Sequence, residues 1–273
     1  MNVPSIYEEP ALSRIARTKS ALSEGRIFAA RQGVHDVGNT GKLLYSECLA
    51  RMIDEWGVVH SAGAFVPYLE GAGGAAVLDH YMLELIFQEL ASEPDAVLGC
   101  NLSAHTLSNP DHCALLLDSI QRHRIAASRL ILEVTETAPL HYPAAAQEFL
   151  KAARAAGCRI AIDDFGAGYA APSRLLDVAV DIVKIDASFT HRILRGHDGR
   201  GSLYHIVGLA ACAVPIVVVE GVETDEHMQA ALAAGATHLQ GYLLSQPTHP
   251  PLHHSHPAFR PLRRLVRAGR KKQ

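Results

Sequence analysis

Arg159-Ile160-Ala161-Ile162-Asp163-Asp164-Phe165-Gly166 is an apolar run that ends in two adjacent carboxylates and a glycine. The run reads as a buried strand and the glycine as the turn at its exit. Neighbouring acids repel each other and are costly to desolvate, so a fold that sets both where a strand emerges points to a divalent-metal site. The flanking residues place this strand in a series. Ala155-Ala156-Gly157 closes a helical pattern just before it, and Ala233-Ala234-Gly235 closes another further on, with glycine suited to the left-handed position after a last helical turn. Val77, Leu78, Tyr81, Met82, Leu85, Ile86 and Leu90 recur at helical spacing before a further apolar run.

Strand candidates fall at 26–31, 43–48, 96–102, 129–134, 159–164, 181–186, 215–220 and 237–242. Their alternation with helical patterns predicts parallel strands joined by helical crossovers. Eight such strands in about 250 residues is the size of an α/β protein of the (β/α)8 TIM-like barrel class. Glu47, Asn101, Glu133, the Asp163/Asp164 pair, Lys184, Glu220 and Gln240 are expected at or near the C-terminal ends of different strands, the rim where barrel enzymes assemble their sites. The chain divides into an N-terminal helical segment (1–25), the barrel (26–247) and a tail (248–273). That tail carries His249, His253, His254 and His256 and a basic run from Arg260 to Lys272, read as an appendage able to touch metal or an acidic partner.

Composition narrows the classes. A formal charge of −3 over 273 residues gives no global basic field, which argues against a nucleic-acid polymer as partner. Cys48, Cys100, Cys113, Cys158 and Cys212 are odd in number and scattered, the pattern of reduced thiols in a cytoplasmic protein. The first residues carry neither a basic region nor an apolar core, and no apolar run reaches about 18 residues, so neither export nor membrane insertion is expected.

Glu47, Asn101, Glu133 and Asp163 offer oxygen ligands to one hard cation, and Asp163 can bridge to a second held by Asp164. Without a Cys/His cluster this favours Mg²⁺ or Mn²⁺ over zinc, and two such ions about 3.5–4 Å apart suit in-line displacement at phosphorus. The ions also resolve the repulsion between an acidic rim and a phosphodiester. Lys184 has three open roles: orienting a water, deprotonating it, or neutralising charge on phosphorus oxygens. The structural alternative is an ion pair with Asp186 on the same strand face.

Seven motifs, in order, resemble the EAL-domain family, phosphodiesterases that cleave cyclic di-GMP. They are Tyr45-Ser46-Glu47-Cys48-Leu49-Ala50-Arg51, Asn101-Leu102-Ser103-Ala104, Glu133-Val134-Thr135-Glu136, Asp163-Asp164-Phe165-Gly166-Ala167-Gly168-Tyr169, Val183-Lys184-Ile185-Asp186, Glu220-Gly221-Val222-Glu223-Thr224 and Gln240-Gly241-Tyr242. The resemblance implies two divalent cations, Mg²⁺ or Mn²⁺, on Glu47, Asn101, Glu133, Asp163 and Asp164. It implies a catalytic set of Lys184, Glu220, Gln240 and Glu136, the last anchoring the loop after Asp164, and substrate contacts from Arg51 and Gln32. It further implies hydrolysis to linear pGpG and a homodimer. With no cyclase, receiver or membrane sensor pattern in these residues, regulation is expected from the barrel, its flanking segments or an unidentified regulatory protein.

Departures from the family pattern are Cys48 for alanine, Ala170 and Ala171 for serines, and Arg31-Gln32-Gly33-Val34 where the family has Gln-Pro-Ile, which asks for a one-residue insertion near Gln32. Cys48 is expected to point away from the site. Two other readings compete. One is a catalytically silent cyclic di-GMP receptor or protein-interaction domain. The other is a dinucleotide-binding protein, because Gly166 to Ala171 fits G-x-G-x-x-G/A, although two aspartates before the loop oppose a pyrophosphate.

Overall fold

The computed structural model describes residues 9–135, 144–167 and 179–249. Among these described residues nine strands form one sheet: β1 (Ile27–Asp36), β2 (Leu43–Ile53), β3 (Val59–Ser61), β4 (Leu98–Leu102), β5 (Leu130–Thr135), β6 (Arg159–Phe165), β7 (Ile182–Ile185), β8 (Ile216–Val219) and β9 (His238–Leu239). Their order is β1-β9-β8-β7-β6-β5-β4-β2-β3, and a β1–β2 pairing closes eight of them into a barrel with β3 hanging from β2. The (β/α)8 TIM-like architecture expected from the alternation is therefore present, with a correction at its start. β1 runs antiparallel to both neighbours, β2 and β9, while the pairs from β2–β4 round to β8–β9 are parallel. The β1–β2 connection is only residues 37–42, too short for a crossover helix, so the two strands must form a hairpin.

Other boundaries also move. β1 runs five residues past the expected stretch, to Asp36, and β3 has no counterpart in the pattern reading. β9 shrinks to two residues because the chain leaves the sheet at Gly241, where a Cβ would lie 2.2 Å from the Val222 carbonyl oxygen. Residues beyond it continue along β1 instead: Thr248 bridges Arg31, and Ser245 accepts from the Gln32 amide at 3.0 Å.

Helices cover the outside. Ala75–Ser92 buries the expected Leu78, Tyr81, Met82, Leu85, Ile86 and Leu90, whereas Val77 faces outward. Gly157 and Gly235 adopt positive φ of 110° and 90° just past their helices. Two clusters pack between strands and helices, and a third, Val34, Tyr45, Ile131, Ala161, Ile182 and Val218, fills the barrel interior. Among the described residues no helix is long and apolar enough to cross a membrane.

Candidate metal centre

Side chains alternate along a strand, so the residue two steps from an interior one also faces inward. Two residues from each member of the interior cluster stands a polar residue: Gln32 beside Val34, Glu47 beside Tyr45, Glu133 beside Ile131, Asp163 beside Ala161, Lys184 beside Ile182 and Glu220 beside Val218. Asn101 and Gln240 complete the ring from β4 and just beyond β9. Gln32 joins it because β1 pairs residue for residue with β2, setting Gln32 opposite Glu47. Glu47 lies mid-way along β2 rather than at its end, since β2 runs on past the barrel to pair with β3.

Lys184 sits at the centre of this ring, fully buried. Its ammonium is 2.8 Å from Glu133, Asp163 and Glu220 and 3.0 Å from Glu47. The alternative pairing with Asp186 is not formed: Asp186 caps the next helix, accepting from the Ser188 amide. Glu47 is held on both oxygens, by the Asn101 amide at 2.8 Å and the Gln240 amide at 2.7 Å. Oε1 of Glu133 and Oε1 of Gln240 are buried without a hydrogen bond.

Asp163 and Asp164 are adjacent, and strict alternation would send them to opposite faces. A register irregularity between Ile162 and Phe165 breaks that alternation, and Asp164 alone among the described non-glycine residues has positive φ, 55°. A bulge of this kind re-aims a side chain, and strained backbone of this kind collects at functional sites. The result is two overlapping oxygen clusters that share Asp163: Glu47, Glu133 and Asp163, then Asp163, Asp164 and Glu220, each with its oxygens within 4.8 Å of one another.

The charges do not balance. Burial pushes the Glu133, Glu220 and Asp163 carboxyls up, the first two far above the usual range, and burial with the neighbouring Asp163 charge takes Asp164 to about 6. Burial alone would lower Lys184, but Asp163, Glu133, Glu220 and Glu47 outweigh it and hold the ammonium well above its ordinary value. Glu47 is also penalised by burial, yet Lys184 and the two amides keep it low. Five carboxyl groups around one ammonium, all oxygen donors, with the buried Glu133 Oε1 in neither a hydrogen bond nor an ion pair, fit hard divalent cations.

Arg51 lies further along β2, half-buried, donating to the Ala50 carbonyl at 2.9 Å. Glu136, Ala170 and Ala171 fall outside the described residues. Cys48 packs in the outer cluster, away from the ring. Pattern reading missed Tyr45, whose hydroxyl reaches Glu133 at 3.1 Å, and Gly99, against which Glu133 rests. It also missed Asp79, which accepts from the Ser103 amide at 2.9 Å and the Thr106 hydroxyl at 2.6 Å just past Asn101. Position was the available signal for Tyr45, two residues from Glu47 on the same face.

Residues 15–247 match the family model described as the EAL domain. The chain belongs to the EAL domain family. It is 32% identical over 235 residues to the Escherichia coli cyclic di-GMP phosphodiesterase PdeF, covering 85% of this chain but 31% of that one, so it spans about a third of the relative's length. Among solved structures, the EAL domain described here superposes on the PaMucR phosphodiesterase in its c-di-GMP complex with a TM-score of 0.75 at 26% identity, covering 86% of this chain and 97% of that one. An EAL domain protein from Listeria monocytogenes gives 0.75 at 21% identity, covering 91% and 95%, a likeness of fold.

Proposed function

We propose that this EAL domain is a metal-dependent phosphodiesterase that hydrolyses cyclic di-GMP to linear pGpG in the cytoplasm. The observation that carries the reading is the pair of oxygen clusters sharing Asp163 around a buried ammonium. Glu47, Asn101, Glu133 and Asp163 would hold one Mg²⁺ or Mn²⁺, and Asp163 with Asp164 the second, with Glu220 close by. Two such ions, when bound, would supply water activation and charge stabilisation on both oxygens of an in-line displacement. The chain's own groups do the rest. Lys184 has three N–H bonds for four carboxylates, so its part is to donate: it orients a water or neutralises a phosphoryl oxygen. Gln240 spends its amide N–H on Glu47 and keeps its carbonyl oxygen to accept a hydrogen bond from water. Gln32 and Arg51 would contact the substrate, and Glu136 would anchor the loop after Asp164. The segment 26–247 would be the catalytic unit, working as a homodimer under a regulatory partner.

The test is turnover of cyclic di-GMP by the purified protein with Mg²⁺, with Mn²⁺ and with chelator, resolving pGpG by chromatography. Product that needs the metal, and that disappears in Glu47→Ala, supports the reading. Binding without product makes the protein a receptor.

A further inference from the structure

The interior cluster below the ring is hydrocarbon except at one residue. Tyr45 is 1% exposed, and its hydroxyl donates to Glu133 Oε2 at 3.1 Å. On the next strand Gly99 leaves a gap: a Cβ there would lie 2.0 Å from Glu133 Oε1 and 2.8 Å from Tyr45 Cε2. The glutamate carboxylate and the tyrosine ring therefore share the space above Gly99, one oxygen settled into the gap and the other tied to the phenol. Lys184 grips that same Oε2 at 2.8 Å, while Oε1 has no hydrogen bond. A free glutamate must lose the rotation of three side-chain bonds when it ligates an ion, and a seated one has already lost it. Because Tyr45 and Gly99 come from β2 and β4, the seat also ties Glu133 of β5 to the strands that carry Glu47 and Asn101.

We propose that Tyr45 and Gly99 are positioning residues that together form the seat of Glu133 and set it for a divalent cation, without touching the cation or the substrate. The proposal rests on the metal-dependent reading above. Groups that orient metal ligands from behind typically change metal affinity by about 10–100-fold when removed.

Calorimetric titration with Mn²⁺, paired with melting in chelator, tests it without recourse to activity. Tyr45→Phe removes one oxygen and keeps the ring, so it is expected to melt within a few degrees of the unmodified protein while binding Mn²⁺ about ten-fold more weakly or worse. Gly99→Ala fills the gap and is expected to weaken binding further; should it fail to fold, Tyr45→Phe still decides. Unchanged Mn²⁺ affinity in Tyr45→Phe overturns the proposal and leaves the metal reading intact. No Mn²⁺ binding by the unmodified protein overturns both.

Discussion

The barrel interior has two levels built by the same strands. The lower holds Val34, Tyr45, Ile131, Ala161, Ile182 and Val218, and the upper, two residues away on each strand, holds Gln32, Glu47, Glu133, Asp163, Lys184 and Glu220. Backbone, direction and face are shared, so the difference lies in side-chain chemistry alone. Apart from the Tyr45 hydroxyl, the lower level needs volume and exclusion of water, which several apolar residues supply equally well. The upper level needs oxygen atoms held at particular places, and the dry level beneath it is what makes them costly to charge and eager for cations.

The strongest way to break this contrast is Lys184→Met. In chelator the substitution leaves four buried carboxyl groups without their counter-charge, and destabilisation of about 3–5 kcal/mol is expected by urea unfolding; with Mn²⁺ restored, turnover should be lost. Two residues away, Ile182→Ala should cost about 2–5 kcal/mol through its cavity. There, however, kcat of the folded fraction should stay within about three-fold. Equal catalytic damage from both would erase the distinction between the levels.

Asp79 sharpens the contrast from outside the ring. Burial, only partly offset by the Thr106 and Ser103 hydrogen bonds, takes its carboxyl from 3.8 to about 6. The folded state therefore holds the proton more tightly than the unfolded one. The stability this contributes is complete below pH 3.8 and is lost as pH rises through about 6. Relative to Asp79→Asn, the unmodified protein should lose on the order of 3 kcal/mol between pH 4 and pH 7, and a pH-independent difference would contradict the assignment. The smallest effect is expected at Cys48, adjacent to Glu47 but packed in the outer cluster. Cys48→Ala should cost about 0.5–1.5 kcal/mol, the range for trimming a small buried group, and leave Mn²⁺ affinity within two-fold by calorimetry.

Much of the upper level was legible in the sequence because polar residues after apolar runs are conspicuous wherever strands are buried on both faces. Glu47, Asn101, Glu133, Asp163, Lys184, Glu220 and Gln240 announced themselves in this way. What stayed hidden depends on relations across strands. The antiparallel β1 follows from a short hairpin that an alternation rule reads as one more parallel unit. The bulge that turns Asp164 inward leaves no mark beyond the acid pair itself. Lys184 and Glu47 meet across 137 positions, so nothing local chose Glu47 over Asp186 as its partner. Tyr45 and Gly99 read as ordinary strand residues until β2, β4 and β5 are side by side.

The most direct test of the central claim is an anomalous difference map from crystals of the protein soaked in Mn²⁺. Two peaks are expected in the upper ring, one among Glu47, Asn101, Glu133 and Asp163 and one between Asp163 and Asp164. A ring without peaks, or peaks confined to histidines of the tail, would contradict it.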